Sequence, residues 1–349
     1  MMLFSRPPRS WRITVVLFLM VGGCLFASAA SAQGPYADER LAYKAGLPGV
    51  QTVQIIDDVE LVDRKRGKPV PLRVYTPVSE GPFPVIVFSH DAGGSKAQYL
   101  NLAEFWSSHG YVCIHPNHAD ALEGDQAADI REVARKVRGD RVSWINRAAD
   151  VKFIIDSLDD LPEKSPALKG KIDRKRVAAA GHGMGAHTAE VVGGARLNVP
   201  AGGNLGDPRV DAVLLLSPPG AEWMGLGRGS WQHMRLPMMA MTGSRDEGVG
   251  GRPPAWRTQP FQLAPPPDKY LVFIEGARGD SFTGDVAEDG FFGAGLGLGA
   301  DDRDIFEWVQ IASVAFLDAH LKGSADAKQY LHADDLPRFS FNKLKLKRK

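Results

Sequence analysis

From about residue 51 onward, two kinds of hydrophobic pattern alternate along the chain. Short, nearly unbroken apolar runs recur at Phe83–Ser89, Tyr111–His115, Val177–Ala180, Val210–Leu216, Met238–Thr242 and Tyr270–Glu275. Runs of that length without polar alternation predict strands buried on both faces. Between several of them the spacing is helical. Ala97–His109 stops at Gly110, Asn146–Asp159 carries Val151, Ile154, Ile155 and Leu158 on one face, and Ile305–Leu321 carries Ile305, Trp308, Val309, Ala312 and Phe316. Gln51–Leu61 and Val70–Thr76 read as an opening hairpin around the charged turn Asp63–Lys68. A hairpin followed by alternating strands and helices predicts an α/β fold, a mostly parallel central sheet covered by helices on both faces. Polar Ala119–Arg141 predicts an excursion above that sheet, while Pro-rich Gly250–Pro267 and Gly-rich Asp285–Ala300 predict loops. No internal repeat or interior linker splits the chain.

The first 32 residues follow a different rule. Arg6, Arg9 and Arg12 precede the apolar run Ile13–Phe26, and Ala30-Ser31-Ala32 reads as a cleavage site. This predicts a cleaved export signal over 1–32, a single domain over 33–349, and a periplasmic or secreted product. The apolar run is shorter than the ~20 residues of a spanning helix, so no stable membrane span is expected after cleavage. Val21-Gly22-Gly23-Cys24 supports the alternative of a lipoprotein anchored through Cys24. Without residues 1–32 the chain keeps 39 Lys and Arg against 41 Asp and Glu, a net charge of −2, which argues against a nucleic-acid partner. The last stretch, Lys343–Lys349, is basic and reads as a solvated tail, with contact to an anionic surface as the alternative. Cys113, alone after cleavage, lies in an apolar strand and is expected to be buried and inert.

Candidate chemistry concentrates after the run Val177–Ala180. Gly181-His182-Gly183-Met184-Gly185 leads into a helix-compatible stretch, the layout of the G-x-S-x-G nucleophile elbow. Residue 183, where the attacking serine would stand, is glycine. Together with Phe88-Ser89-His90-Asp91-Ala92-Gly93-Gly94-Ser95, the block Asn146–Leu158, Leu236–Asp246 and Asp268–Gly284, the chain resembles secreted bacterial α/β-hydrolases of the platelet-activating-factor acetylhydrolase and dienelactone-hydrolase-like esterase group over roughly Gln51–Leu331.

The resemblance implies an α/β-hydrolase fold and assigns positions. The oxyanion N–H groups would belong to Ala92 and Met184. Asp91 replaces a usual glycine. Pointing inward, it would oppose the negative charge that catalysis must stabilise; as a turn residue it is expected to point outward. Asp246 falls at the triad acid, with adjacent Glu247 as the alternative. The histidine loop matches at Gly276, Ala277, Phe282 and Gly284, but Gly279 stands in the histidine position, so Gly183 and Gly279 are the vacated nucleophile and base positions. Removing either group from a working triad lowers kcat about a millionfold.

The leading expectation is therefore a catalytically impaired pseudo-esterase that keeps a cleft for a small ester or lipid-like ligand, without cofactor or metal. Its oligomeric state is not legible. The alternative is an active carboxylic-ester hydrolase with a relocated nucleophile, with Ser95, Thr188, Ser244 and Ser281 as candidates and His90, His115 and His118 as framework. His182 is expected to point away from the Gly183 position. Two further readings carry less: a metal held by His115, His118 and Asp120, and a nucleotide site, since Gly181-x-Gly183-x-x-Ala186 fits the dinucleotide fingerprint but Asp211 begins rather than ends the next strand.

Overall fold

The computed structural model describes residues 48–122, 130–199, 203–284 and 300–349, all within one compact unit. The expected export signal over 1–32, with Cys24, and nearly all of the Gly-rich stretch 285–300 lie outside the described residues. Among the described residues nine strands form one sheet in the order β1-β2-β4-β3-β5-β6-β7-β8-β9. They are β1 (Val53–Asp63), β2 (Lys68–Pro77), β3 (Phe83–Ser89), β4 (Val112–Pro116), β5 (Ile172–His182), β6 (Ala212–Leu216), β7 (Met238–Gly243), β8 (Lys269–Ile274) and β9 (Leu344–Arg348). The run from β4 through β8 is parallel, and β1, β2 and β9 pair antiparallel at the edges.

The helices are α1 (Leu100–Ser108), α2 (Ile130–Gly139), α3 (Arg141–Asp156), α4 (Leu161–Lys164), α5 (Met184–Val192), α6 (Gln259–Leu263), α7 (Ala300–Leu321), α8 (Ala325–His332) and α9 (Asp335–Phe339). Strand alternation sorts them onto two faces. Val85, Val87, Val213 and Leu215 share one core with Ala148, Val151 and Ile154 of α3 and Ala186 and Ala189 of α5. From the other face Phe88 meets Trp106 of α1, and Tyr270 meets Phe316 of α7. This is the architecture that the apolar runs predict.

Several elements differ from the sequence expectation; the Pro-rich stretch holds α6, and α7 begins at Ala300 rather than Ile305. Helix α3 begins at Arg141 rather than Asn146, because Asp140 caps it by accepting from the N–H groups of Val142 and Ser143. Its inward face also carries Arg147 and Asp150, which blur the apolar stripe. The polar excursion contains α2. The basic C-terminal stretch is not a free tail: it pairs with β8 as β9, burying Leu344 while Lys345 and Lys347 stay exposed. Lysines on an edge strand discourage further strand addition.

The order β4-β3-β5 marks where the sheet reverses its direction of growth, and ligands of such sheets gather at the carboxyl ends there. Ser89 pairs with Gly181, so the loops leaving β3 and β5 face each other. A Cβ on Gly185 would overlap the Ser89 carbonyl, so glycine is what lets α5 start this close to β3.

Candidate functional site

The chain turns from β5 into α5 at Gly183, with φ 54° and ψ −111°, a region that L side chains rarely adopt. A Cβ built there would lie 2.5 Å from both Cγ and Oδ1 of Asp91. The Asp91 carboxylate thus occupies the space into which a side chain on residue 183 would grow. Its Oδ1 accepts from the backbone N–H of Ala92 and of Met184, each at 2.7 Å. These are the two N–H groups that the resemblance assigns to an oxyanion. Its Oδ2 accepts from Arg138 of α2 at 2.8 Å. The outward orientation expected for Asp91 is therefore wrong. By sequence residue 91 reads as a turn position; the arginine that draws it inward comes from the excursion, 47 residues away. Burial pushes the Asp91 carboxyl up, but Arg138, His182 and the two N–H donors outweigh it and hold it well below the usual carboxylate range.

Gly183→Ser should destabilise the protein by about 1–3 kcal/mol through the positive φ alone, before the overlap with Asp91 is counted. Adding Asp91→Gly removes the overlap, so the urea-measured losses of the two variants should be non-additive. A Gly183→Ser protein as stable as the parent would contradict this placement of Asp91.

Asp246, on the loop after β7, is buried. Its Oδ1 accepts from Ser217 Oγ at 2.9 Å and its Oδ2 from Thr242 Oγ1 at 2.8 Å, while Arg257 Nε forms an ion pair with Oδ1 at 2.8 Å and donates to the Asp246 carbonyl at 3.1 Å. A Cβ on Gly279 would point at this group, 3.3 Å from Asp246 Oδ1 and 3.5 Å from Ser217 Oγ. Asp246 thus faces the Gly279 position, and a guanidinium holds it instead of an imidazole. Arg257 also donates to the carbonyls of Ser217, Pro218 and Glu247. Burial raises the Asp246 carboxyl against the pull of Arg257, and burial lowers the Arg257 guanidinium against the pull of Asp246. Arg257 and Ser217 carry no sequence signal: one lies in a Pro-rich loop, the other before two prolines.

His182 does not point away. It lines the same cleft as Asp91 and Gly279. Its Nε2 lies 2.8 Å from the Gly279 carbonyl and its Nδ1 3.1 Å from the Tyr99 hydroxyl. A carbonyl only accepts, so Nε2 carries the hydrogen and Nδ1 accepts from Tyr99. Burial holds the ring below the ordinary imidazole value, against Asp91 and Asp246, so it is neutral at pH 7 and its lone pair is engaged.

The other nominated hydroxyls serve the fold. Thr188 donates back to the Met184 carbonyl, Ser281 donates to Asp302, Ser244 accepts from the Gly276 N–H, and Ser95 accepts from the Ala97 N–H. A serine not nominated, Ser89, lies 3.1 Å from His118 Nε2, and His118 Nδ1 lies 2.9 Å from Asp150. The order of groups is that of a triad, but Ser89 is 1% exposed and does not line the cleft. Asp150 is also held by Arg66 and Lys68, so the chain of bonds ties β3 to α3 and the β1–β2 turn.

The proposed metal ligands go to separate partners. His115 stacks on Phe88, His118 binds Asp150, and Asp120 pairs with Arg147. Among the described residues no group of three or more His, Cys, Asp or Glu side chains is placed to hold a metal. Asp211 accepts from the Val177 N–H at the start of β6, the end of the sheet away from the fingerprint turn, which removes the acid a dinucleotide site needs. Burial pushes the Cys113 thiol up to about 12, as suits an inert core residue.

The cleft above this group measures ≈ 180 Å³. Its apolar wall includes Trp223, Met224, Val249 and Trp256. Arg252 is stacked between the two indoles, 4.8 Å from the ring of Trp223 and 5.2 Å from that of Trp256. Phe282 of the histidine loop is fully buried and only packs.

Sheet order, elbow turn and cleft define a protein of the α/β-hydrolase fold. A family model described as chlorophyllase matches residues 40–198. Platelet-activating factor acetylhydrolase of Cavia porcellus is 26% identical over 151 residues, 34% of this chain and 34% of that protein. The chain therefore spans about a third of the length of the curated relative it matches. Both likenesses are to esterase-like α/β-hydrolases, and neither spans half of the chain. The family model covers the loops of Asp91 and Gly183 and ends before those of Asp246 and Gly279. No described helix is long and apolar enough to cross a membrane.

Proposed function

We propose that this chain is a non-hydrolytic member of the esterase-like class, which keeps a small cleft for binding and has filled its catalytic positions with its own charged groups. One observation carries the reading. The Asp91 carboxylate takes both N–H donors that would stabilise an oxyanion, in the space of the missing nucleophile. A triad enzyme stripped of its reactive groups keeps roughly 10³-fold catalysis over water from its oxyanion donors and binding alone. With a resident anion on those donors, even that remainder is lost. Arg257 on Asp246 and the engaged lone pair of His182 leave no base to replace the absent histidine.

We further propose, from the N-terminal sequence, that the protein is exported, either freed by cleavage after Ala32 or anchored through Cys24. N-terminal sequencing of the mature protein separates these two forms from an uncleaved chain.

The mature protein should show no burst and no turnover on short p-nitrophenyl esters, and no labelling by a fluorophosphonate probe. A covalent adduct on any cleft side chain would overturn the proposal. An adduct on Ser89 would instead favour a hydrolase with a relocated nucleophile.

A further inference from the structure

We infer that Asp91 inverts the polarity of this cleft, so that it binds a small uncharged hydroxyl compound, an aromatic or short alkyl alcohol, and rejects the corresponding carboxylate. The inference rests on the reading that the cleft binds rather than hydrolyses. In a hydrolase of this fold, the floor of the site offers N–H groups to a negatively charged oxygen. Here the floor offers an acceptor. Both N–H groups are consumed by Asp91 Oδ1, while Oδ2 is met by Arg138 alone among the described residues. A carboxylate has about four acceptor sites. Three are used, and the Asp91 side chain remains 15% exposed, so a ligand hydroxyl can still donate to it.

Charge balance selects the neutral ligand. The charged side chains lining the cleft are Asp91, Asp280, Arg138 and Arg257, two of each sign. Arg257 is committed to Asp246 and to backbone carbonyls, so it does not offer itself to an incoming anion. His182 is neutral, and both of its ring nitrogens are engaged. A ligand carboxylate would thus meet the Asp91 carboxylate, whose neighbouring cation Arg138 is already paired with it. An ammonium would face Arg138 and Arg257. A hydroxyl meets neither penalty.

Size sets the rest of the ligand. The cleft holds ≈ 180 Å³, close to the cavity of about 150 Å³ that takes benzene in another protein. One ring or a short alkyl chain against Trp223 and Trp256 fills it.

The test compares benzyl alcohol with benzoate by titration calorimetry and by quenching of tryptophan fluorescence. Neither probe contains an ester bond, so the outcome does not depend on whether the cleft hydrolyses anything. The wild-type protein should prefer benzyl alcohol by at least about tenfold, since like charges brought together oppose binding strongly. Asp91→Gly should reverse that order, because the freed N–H groups of Ala92 and Met184, with Arg138, then receive the benzoate carboxylate. Circular dichroism checks that this variant folds. If it does not, Asp91→Asn decides: removal of the charge should abolish the preference for the alcohol. Wild-type protein that binds benzoate as well as benzyl alcohol, or binds neither, would overturn the inference. So would a folded Asp91→Gly protein that still rejects benzoate, or an Asp91→Asn protein that keeps the full preference.

Discussion

Arg257→Met should destabilise the fold by about 3–5 kcal/mol at pH 7, the usual cost of stripping a buried charge of its partner. Asp246 is 1% exposed, and in this variant it keeps only the hydroxyls of Ser217 and Thr242. The pH dependence tests the cause. Burial already holds the Asp246 carboxyl above its unfolded value of about 3.9. The folded chain therefore takes up this proton at a higher pH than the unfolded chain, and the penalty of burying the charge falls away on acidification. Arg257 is what holds the group down, so its removal raises it further. The deficit measured by urea unfolding should be largest at high pH and should shrink as the pH falls. Adding Asp246→Leu should recover much of the loss, since an apolar pair can replace a buried ion pair at little cost. A deficit independent of pH would mean that lost packing, rather than an orphaned carboxylate, is responsible.

Arg147→Met should cost a comparable amount, about 3–5 kcal/mol, and that cost should also shrink on acidification. Arg147 donates to Asp120 at 2.6 and 2.9 Å, to the His90 carbonyl at 2.6 Å and to the Asp91 carbonyl at 3.1 Å. Asp120 in turn accepts from the Gly93 N–H. Together they fix the loop that delivers Asp91 and Ala92. Burial raises the Asp120 carboxyl, but Arg147 outweighs it and holds the group well below the usual carboxylate range. A lowered carboxyl contributes stability that is fully present above the unfolded value of about 3.9 and is lost as pH falls through the folded value. Without Arg147, burial is left to raise the Asp120 carboxyl, so the advantage of the parent over the variant should be largest at high pH and shrink as acid protonates the orphaned group. Hydrogen exchange should quicken at residues 90–93 more than elsewhere. Uniform quickening across the sheet would point to a general loss of stability instead.

Much of this molecule was legible from pattern. The unbroken apolar runs from Phe83 to Glu275 became the parallel strands, because a strand covered on both faces has no polar side to advertise. The two glycines flanking residue 183 marked the tight turn, since any side chain at 185 collides with β3. The bounds of α3 were less legible, because its inward face carries Arg147 and Asp150, charged residues that read as solvent-facing until their partners are known. The last strand was missed for a similar reason. Leu344 and Leu346 alternate with basic residues, and only pairing with β8 distinguishes an edge strand from a solvated tail.

The site divides along the same line. By itself the sequence determined that residues 183 and 279 carry no reactive side chain, because a glycine is a glycine in any fold. Only the tertiary structure decided what stands in their place. Asp91 is drawn inward by Arg138, 47 residues away, and by the N–H groups of adjacent Ala92 and of Met184, 93 residues away, and Asp246 is neutralised by Arg257, 11 residues away. The direction of a charged side chain is set by the charges and dipoles that folding brings within a few ångströms, and no local pattern records them.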